Sequence, residues 1–274
     1  MSNLRHSSKL LRQFEKYSKS GILPVVAVSG GIDSLTLAVA FSSYANHKLA
    51  VAHAVGPAVP DEATKRVNEF SLKFNWKLFL INAGEMQDPR YIENPFNRCF
   101  FCKQNLYTTI FATTKGTIVS GANLDDLNDY RPGLKAALDA NVAHPFIDAH
   151  MGKKDIRKLA IDLGLGELSV LPSSPCLSSR VETGIKINSS LLKKIGKVES
   201  KIRQIIAGAD LRCRWFSTGV EIEFKYPHLD KITRENRRII YELVANIFSI
   251  PEAKVKIGEY QRGNSFIKPQ HGIK

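Results

Sequence analysis

From residue 24 to residue 122 the chain alternates short apolar runs rich in β-branched residues with longer stretches that mix apolar and polar positions. The runs at 24–29, 48–54, 76–82 and 117–122 read as buried strands. The stretches at 34–46, 61–75 and 101–115 read as helices. Strand and helix taking turns in this way predict a parallel α/β sheet. An amphipathic helix over 4–19, with Leu4, Leu11 and Phe14 among basic residues, precedes the sheet. A helix over 153–164, ended by Gly164, follows it. Residues 84–98 (rich in Pro and Asn), 124–134 (with Pro132-Gly133) and 169–186 read as loops. The order then changes to a helix at 188–207, strands near 211–216 and 219–226, a helix at 233–247 and a strand near 253–258, which predicts a small α+β domain. Residues 259–274 offer little to bury and read as a mobile tail. The expected organisation is a sheet domain over 1–185, a smaller domain over 186–258 and the tail.

The junction between the first strand and the next helix carries the sharpest chemistry. It reads Ser29-Gly30-Gly31-Ile32-Asp33-Ser34. Glycines let a backbone approach phosphate oxygens closely, successive N–H groups form an anion-binding nest, and a helix N-terminus adds partial positive charge. Ser29 and Ser34 can add hydroxyl donors. Asp33 beside a phosphate makes sense if it meets a metal ion or a backbone N–H. No Lys follows the glycines, so the turn is not G-x-x-x-x-G-K-[ST], and it is not G-x-G-x-x-G. A plain Gly-rich turn with a capping Ser or Asp is the bland alternative.

Composition narrows the setting. The chain has 274 residues, 43% hydrophobic, enough for one larger and one smaller domain. No apolar run is long enough to span a bilayer and the N-terminus has no signal-peptide core, so a cytoplasmic location without membrane contact is expected. The net charge is +13, and it is uneven: residues 1–185 carry 21 Lys and Arg against 17 Asp and Glu, residues 186–274 carry 18 against 9. The basic C-terminal part suits a polyanionic ligand or a solvated surface. Four cysteines in such a chain point to chemistry or metal rather than to disulfides.

Two thiols stand at C-x-x-C spacing in Cys99-Phe100-Phe101-Cys102-Lys103, at the mouth of an expected helix. They can chelate a metal or cluster, form a redox pair, or simply be buried. Cys176 lies in Ser173-Ser174-Pro175-Cys176-Leu177-Ser178-Ser179-Arg180, where Arg180 would lower the thiol pKa by folding back. A thiolate there can attack an activated acyl group or deliver sulfur. Cys213 points to the core in an alternating strand whose other face carries Arg212 and Arg214. A third loop, Gly121-Ala122-Asn123-Leu124-Asp125-Asp126-Leu127-Asn128-Asp129-Tyr130-Arg131-Pro132-Gly133, follows a strand, and its small residues and acids suit a nucleotide with its metal.

S-G-G-I-D-S resembles the PP-loop of the ATP pyrophosphatases, which cleave ATP between its α and β phosphates. Taken with R-C-F-F-C-K, G-A-N-L-D-D-L-N-D-Y-R-P-G, S-P-C-L-S-S-R and R-C-R, the chain over residues 15–258 resembles the LarE family of ATP-dependent sulfur transferases of nickel-pincer nucleotide biosynthesis. The resemblance implies an α/β fold of the adenine nucleotide alpha hydrolase type with a smaller C-terminal α+β domain. It implies adenylation of a carboxylate of pyridinium-3,5-biscarboxylic acid mononucleotide, then replacement of an oxygen by sulfur. ATP would contact Ala27, Ser29, Gly30, Gly31, Asp33, Ser34, Gly121 and Asn123, with Asp33 meeting Mg2+. Asp125, Asp126 and Arg131 would lie near the site. Arg180, Arg212 and Arg214 would hold the substrate phosphate. Sulfur would come from Cys176, sacrificed to dehydroalanine, or, as the three cysteines favour, from a sulfide on a [4Fe-4S] cluster ligated by Cys99, Cys102 and Cys176. A small-molecule nucleotide substrate and a homo-oligomer are implied. The alternative is a tRNA 2-thiolation enzyme of the same superfamily, with tRNA as its partner.

Overall fold

The computed structural model describes residues 2–19, 21–45, 49–128, 130–172 and 175–266. The chain folds as two compact units, Met1–Glu85 with Cys99–Ser174, and Met86–Arg98 with Pro175–Lys274.

In chain order the first unit begins with α1 (Ser2–Lys19), β1 (Pro24–Ala27), α2 (Ile32–Ala45), β2 (Ala50–Ala54), α3 (Asp61–Lys73) and β3 (Lys77–Ile81). The short helix α4 (Pro89–Ile92) belongs to the second unit. The first resumes with α5 (Arg98–Thr114), β4 (Thr117–Ser120), α6 (Leu124–Leu127), α7 (Pro132–Asp139), α8 (Pro145–Asp148), α9 (Lys153–Asp162) and α10 (Gly166–Ser169). Its four strands are all parallel in the order β3-β2-β1-β4. From β1 the sheet thus grows to β2 and β3 on one side and to β4 on the other. The order reverses between β1 and β4, where Ala27 pairs with Ser120 at the carboxyl end.

The sheet is covered on both faces, which is why its strands read as unbroken apolar runs. Val26, Val51 and Val119 face a core shared with α1, α2 and α9. Their neighbours Val25, Ala50, Ala52 and Ile118 face a second core with Leu106, Tyr107 and Ile110 of α5 and Ala137 of α7. On α1 the buried stripe is Leu10, Phe14 and Tyr17, at helical spacing, with the Phe14 ring 4.1 Å from that of Phe41. Leu11 is only half-buried, because the stripe runs one position away from it, and the Leu4 side chain lies outside the described residues.

The second unit contains α11 (Ser189–Ile205), β5 (Leu211–Phe216), β6 (Gly219–Phe224), α12 (Arg234–Phe248) and β7 (Val255–Glu259). β5 pairs antiparallel with β6, and β6 parallel with β7. Leu192, Ile195, Val198 and Ile202 of α11 and Ile240, Val244 and Phe248 of α12 are buried. Trp215 of β5 stacks on Phe248 at 5.2 Å.

Three segments depart from the loops and tail expected of them. Residues 84–98 include α4, which Asp88 caps by accepting from the Arg90 N–H, with Pro89 at the first helical position. The units divide at 174/175 rather than at 185/186, because Leu177–Arg180 forms a buried 3-10 turn of the second unit. Residues 259–266 are held as well: the Tyr260 N–H donates to Phe224 O, and the buried Ser265 hydroxyl donates to Ser179 O at 2.6 Å. Residues 267–274 lie outside the described residues. Among the described residues no helix is long and apolar enough to cross a membrane.

Removing the Phe14 ring leaves a cavity between α1 and α2. Phe14→Ala is expected to destabilise the first unit by about 3–5 kcal/mol in urea unfolding, against less than about 1 kcal/mol for the half-buried Leu11→Ala. Equal effects of the two substitutions would refute this assignment of the buried stripe.

Candidate functional site

Ligands of open α/β sheets bind outside the carboxyl ends of strands where the order reverses. In the first unit that place lies beyond Ala27 and Ser120, and the turns after these two strands meet there. Gly30 adopts φ +80°, and a Cβ on it would stand 2.7 Å from Ala63 O. Both constraints require glycine. Inside the turn, the Ser29 N–H donates to Ser34 Oγ at 3.1 Å, and Ser34 Oγ donates to Gly31 O at 3.2 Å. The Gly31 N–H points to Ser29 Oγ at 3.4 Å. This local network ties both hydroxyls to the start of α2.

The turn after β4 closes against it. A Cβ on Gly121 would lie 2.9 Å from both N and Cα of Ser34, so only glycine allows this approach. Asn123, fully buried, donates from Nδ2 to Asp33 Oδ2 at 3.2 Å and accepts from the Asp125 N–H at Oδ1. Asp126 accepts from the Asn123 N–H at Oδ2 and pairs through Oδ1 with Arg131 at 3.0 Å. Asp125 Oδ2 accepts from the Lys153 N–H, at the start of α9. Asp129 lies outside the described residues.

Burial raises the Asp33 carboxyl from its ordinary 3.8 to about 6, with Asp126 and Asp125 adding to the rise and Lys153 and Arg157 opposing it. A half-buried carboxyl with two further acids in its field suits a divalent cation arriving with phosphates, since Mg2+ is commonly held by one or two carboxylates plus the phosphate oxygens of its substrate.

Two histidines border this region, and neither was singled out by the sequence patterns. His53 Nδ1 meets Val28 O at 2.8 Å and so carries the proton, while Nε2 accepts from Thr64 Oγ1. Burial lowers its pKa. His144 Nδ1 lies 2.9 Å from Ser120 Oγ, at the end of β4, and burial lowers its pKa too. Both stand next to strand ends, and in a parallel sheet that position was the available signal.

Cys99 and Cys102 occupy the first turn of α5, half-buried, three residues apart and therefore on one side of the helix. A Cβ on Gly133 would lie 3.1 Å from Lys103 Cγ and 3.7 Å from Cys99 O, so the start of α7 packs on this turn. Cys176 is half-buried in the second unit, before its 3-10 turn. Cys213 is wholly buried, and burial pushes its thiol well up. The first unit thus contributes two of the three candidate ligand thiols and the second one. Among the described residues no group of three His, Cys, Asp or Glu side chains is gathered to hold a metal ion. The donor set of neither unit fits a three-thiolate cluster by itself.

Arg180, Arg212 and Arg214, expected at a substrate phosphate, are all buried and engaged within the second unit. Arg180, 1% exposed, donates to both carboxylate oxygens of Glu199 and from Nη1 to Pro175 O, Cys176 O and Ser179 Oγ. It folds back onto the Cys176 carbonyl. Arg214, also buried, pairs with Glu223 and donates to Ser179 O, Ser265 Oγ and Gln261 O. Arg212 pairs with Asp210 at 2.7 Å and packs on the Tyr260 ring. These guanidinium groups serve the interior of the second unit. The signal was in the next strand, where Glu221 and Glu223 lie opposite Arg214 and Arg212 in register.

These observations define an α/β protein with a glycine-rich turn at the reversal of a parallel sheet and a second unit that carries Cys176 and Cys213. No family model matches the chain. It is 31% identical over 233 residues to the uncharacterized protein MJ0830 of Methanocaldococcus jannaschii, covering 82% of this chain and 86% of that protein. It is 33% identical over 186 residues to the uncharacterized protein slr1717 of Synechocystis sp., covering 66% and 69%. The chain belongs to the family of these two proteins. It is also 26% identical over 185 residues, 66% of this chain and 67% of the relative, to the pyridinium-3,5-bisthiocarboxylic acid mononucleotide synthase of Lactiplantibacillus plantarum.

Two outcomes follow from the electrostatics. The folded protein keeps the Asp33 proton up to about pH 6, whereas the unfolded chain releases it near 3.8. Stability from this group is therefore complete below that lower value and is lost as pH rises through 6. Asp33→Asn cannot ionise, so it should melt above wild type at pH 7.5 and approach it at pH 4. A gap that is constant with pH would contradict the shift. Arg180→Met leaves Glu199 buried without its main counter-charge and should cost about 3–5 kcal/mol in denaturant unfolding, where a surface arginine would cost almost nothing.

Proposed function

We propose that the protein is an ATP-dependent sulfur transferase of the LarE type, which adenylates a carboxylate of a pyridinium mononucleotide and exchanges a carboxylate oxygen for sulfur. The observation that carries this reading is the joining of two turns at the sheet reversal, Ser29–Ser34 and Gly121–Asn123, through the Gly121 approach and the Asn123–Asp33 hydrogen bond. Such a site suits a nucleoside triphosphate. The likeness to a pyridinium-3,5-bisthiocarboxylic acid mononucleotide synthase points to the substrate class and the sulfur chemistry.

In this reading Ser29–Ser34 is a PP-loop. A substrate carboxylate oxygen attacks the α-phosphorus, the bond to the bridging oxygen of the β-phosphate breaks, and pyrophosphate leaves with the electron pair. The loop N–H groups, the Ser29 and Ser34 hydroxyls and the α2 N-terminus take up its growing charge. Mg2+ entering with ATP neutralises phosphate charge beside Asp33. Ala27, Gly121 and Asn123 line the nucleoside side. The Cys176 thiolate then attacks the acyl carbon and AMP departs. Loss of the Cys176 α-proton to a base, with cleavage of Cβ–Sγ, leaves dehydroalanine and a thiocarboxylate. No step here is assigned to a cluster, since neither unit's donor set fits one.

Pyrophosphate release from ATP with the biscarboxylate mononucleotide tests the first half. Asp33→Ala should lose about 10- to 100-fold, the size of one charge-assisted contact, and wild-type rates in that variant would sink the PP-loop reading. Cys176→Ser should still release pyrophosphate yet form no thiocarboxylate, while wild-type protein should lose the mass of hydrogen sulfide after one turnover. Retention of that mass, with iron and acid-labile sulfide that Cys→Ser at 99, 102 or 176 abolishes, would move the sulfur source to a cluster. Release that depends on tRNA instead of the mononucleotide would assign the chain to tRNA thiolation.

A further inference from the structure

The Ser29–Ser34 turn has no lysine of its own, yet a cation reaches it from outside. Arg66, half-buried on α3, donates from Nη1 to Gly30 O at 2.6 Å. The same helix engages the turn twice more. The Ala63 backbone packs against Gly30, where a Cβ would come within 2.7 Å of Ala63 O. Thr64 holds His53 Nε2 at 3.0 Å, and His53 in turn donates from Nδ1 to Val28 O at 2.8 Å. The Gly30 carbonyl of the turn and the Val28 carbonyl just before it are thus drawn toward α3 and its neighbour β2.

A trans peptide holds its C=O and N–H on opposite sides. Drawing Gly30 O toward α3 therefore turns the Gly31 N–H the other way, toward Ser29 Oγ and the start of α2. That is the side of the α2 N-terminus, where an anion would sit. A guanidinium on the carbonyl also polarises the peptide, so its N–H becomes a stronger donor, as in other hydrogen-bonded chains. We propose that Arg66 is a positioning residue for anion binding by the Ser29–Ser34 turn, acting through the Gly30–Gly31 peptide without touching the anion. The inference rests on the nucleotide reading above and adds the element that sets the geometry of the loop.

The test uses the full-length protein, with inorganic pyrophosphate as the calorimetric ligand and ATP in the pyrophosphate-release assay. Arg66→Met keeps the apolar stem and removes the donor. It should weaken pyrophosphate binding about tenfold and raise the KM for ATP by a similar factor, with kcat changed less than threefold. Arg66→Lys restores a charged donor and should recover most of the loss. A purely structural role would lower the melting temperature without this split or this rescue. Wild-type pyrophosphate affinity in Arg66→Met would overturn the inference while leaving the nucleotide reading intact. If wild type itself binds no pyrophosphate and releases none, both fall. Should Arg66→Met not fold, Arg66→Lys decides: near-wild-type KM supports the inference, and an unrescued KM in a folded protein refutes it.

Discussion

The candidate site depends on how closely the turn after β4 can come to the first turn of α2. A single methyl group at residue 121 would reach 2.9 Å from the Ser34 backbone and force the two apart. With hydrogen there instead, Asn123 is buried and its amide reaches Asp33. The sheet makes the meeting possible in the first place. β1 and β4 are neighbours in register at Ala27 and Ser120, although some ninety residues of chain separate them. Topology brings the two turns to one edge, and glycine removes the last steric barrier.

The second unit is organised by charge in its interior. Glu199 lies on the apolar side of α11 and accepts from Arg180, from Arg203 and from the Cys213 backbone. A lone buried carboxylate would be costly, but three donors hold it ionised, and the pull of Arg180 and Arg203 keeps its pKa low against burial. Arg180 spends its remaining donors on carbonyls around Cys176. The backbone before the thiol is thereby anchored to the centre of this unit, while the side chain stays half-exposed.

Much of the first unit was legible in the sequence. The parallel alternation and the Ser29–Ser34 turn follow from local pattern, as does the buried Cys213 of the second unit, because buried strands and glycine turns impose their composition directly. Asp88-Pro89 carried a helix start that a Pro-rich stretch concealed. What was not legible depends on distant partners. Arg212 and Arg214 read as a basic strand, and their pairing with Asp210 and Glu223 shows only in the fold. Residues 259–266 look like a tail until Ser265 is found buried against Ser179. His53 and Arg66 have no motif around them, and their relation to the turn exists only after α3 has packed on it.

One feature of the connectivity bears on how the protein is made. Residues 86–98 belong to the second unit, although their neighbours on both sides belong to the first. Tyr91 bonds to Ser178, 87 positions later, and Asn94 donates to the carbonyls of Glu182 and Ile185. On the ribosome this short segment emerges long before the rest of its unit and must wait for Ser178, Glu182 and Ile185 to appear. At roughly 5–20 residues per second that interval lasts many seconds, long compared with the formation of a helix or the closure of a loop. The first unit can therefore assemble its sheet around an unfinished excursion. Cutting the gene at 98/99 or at 174/175 would part the two pieces of the second unit, whereas a cut at 85/86 would part those of the first.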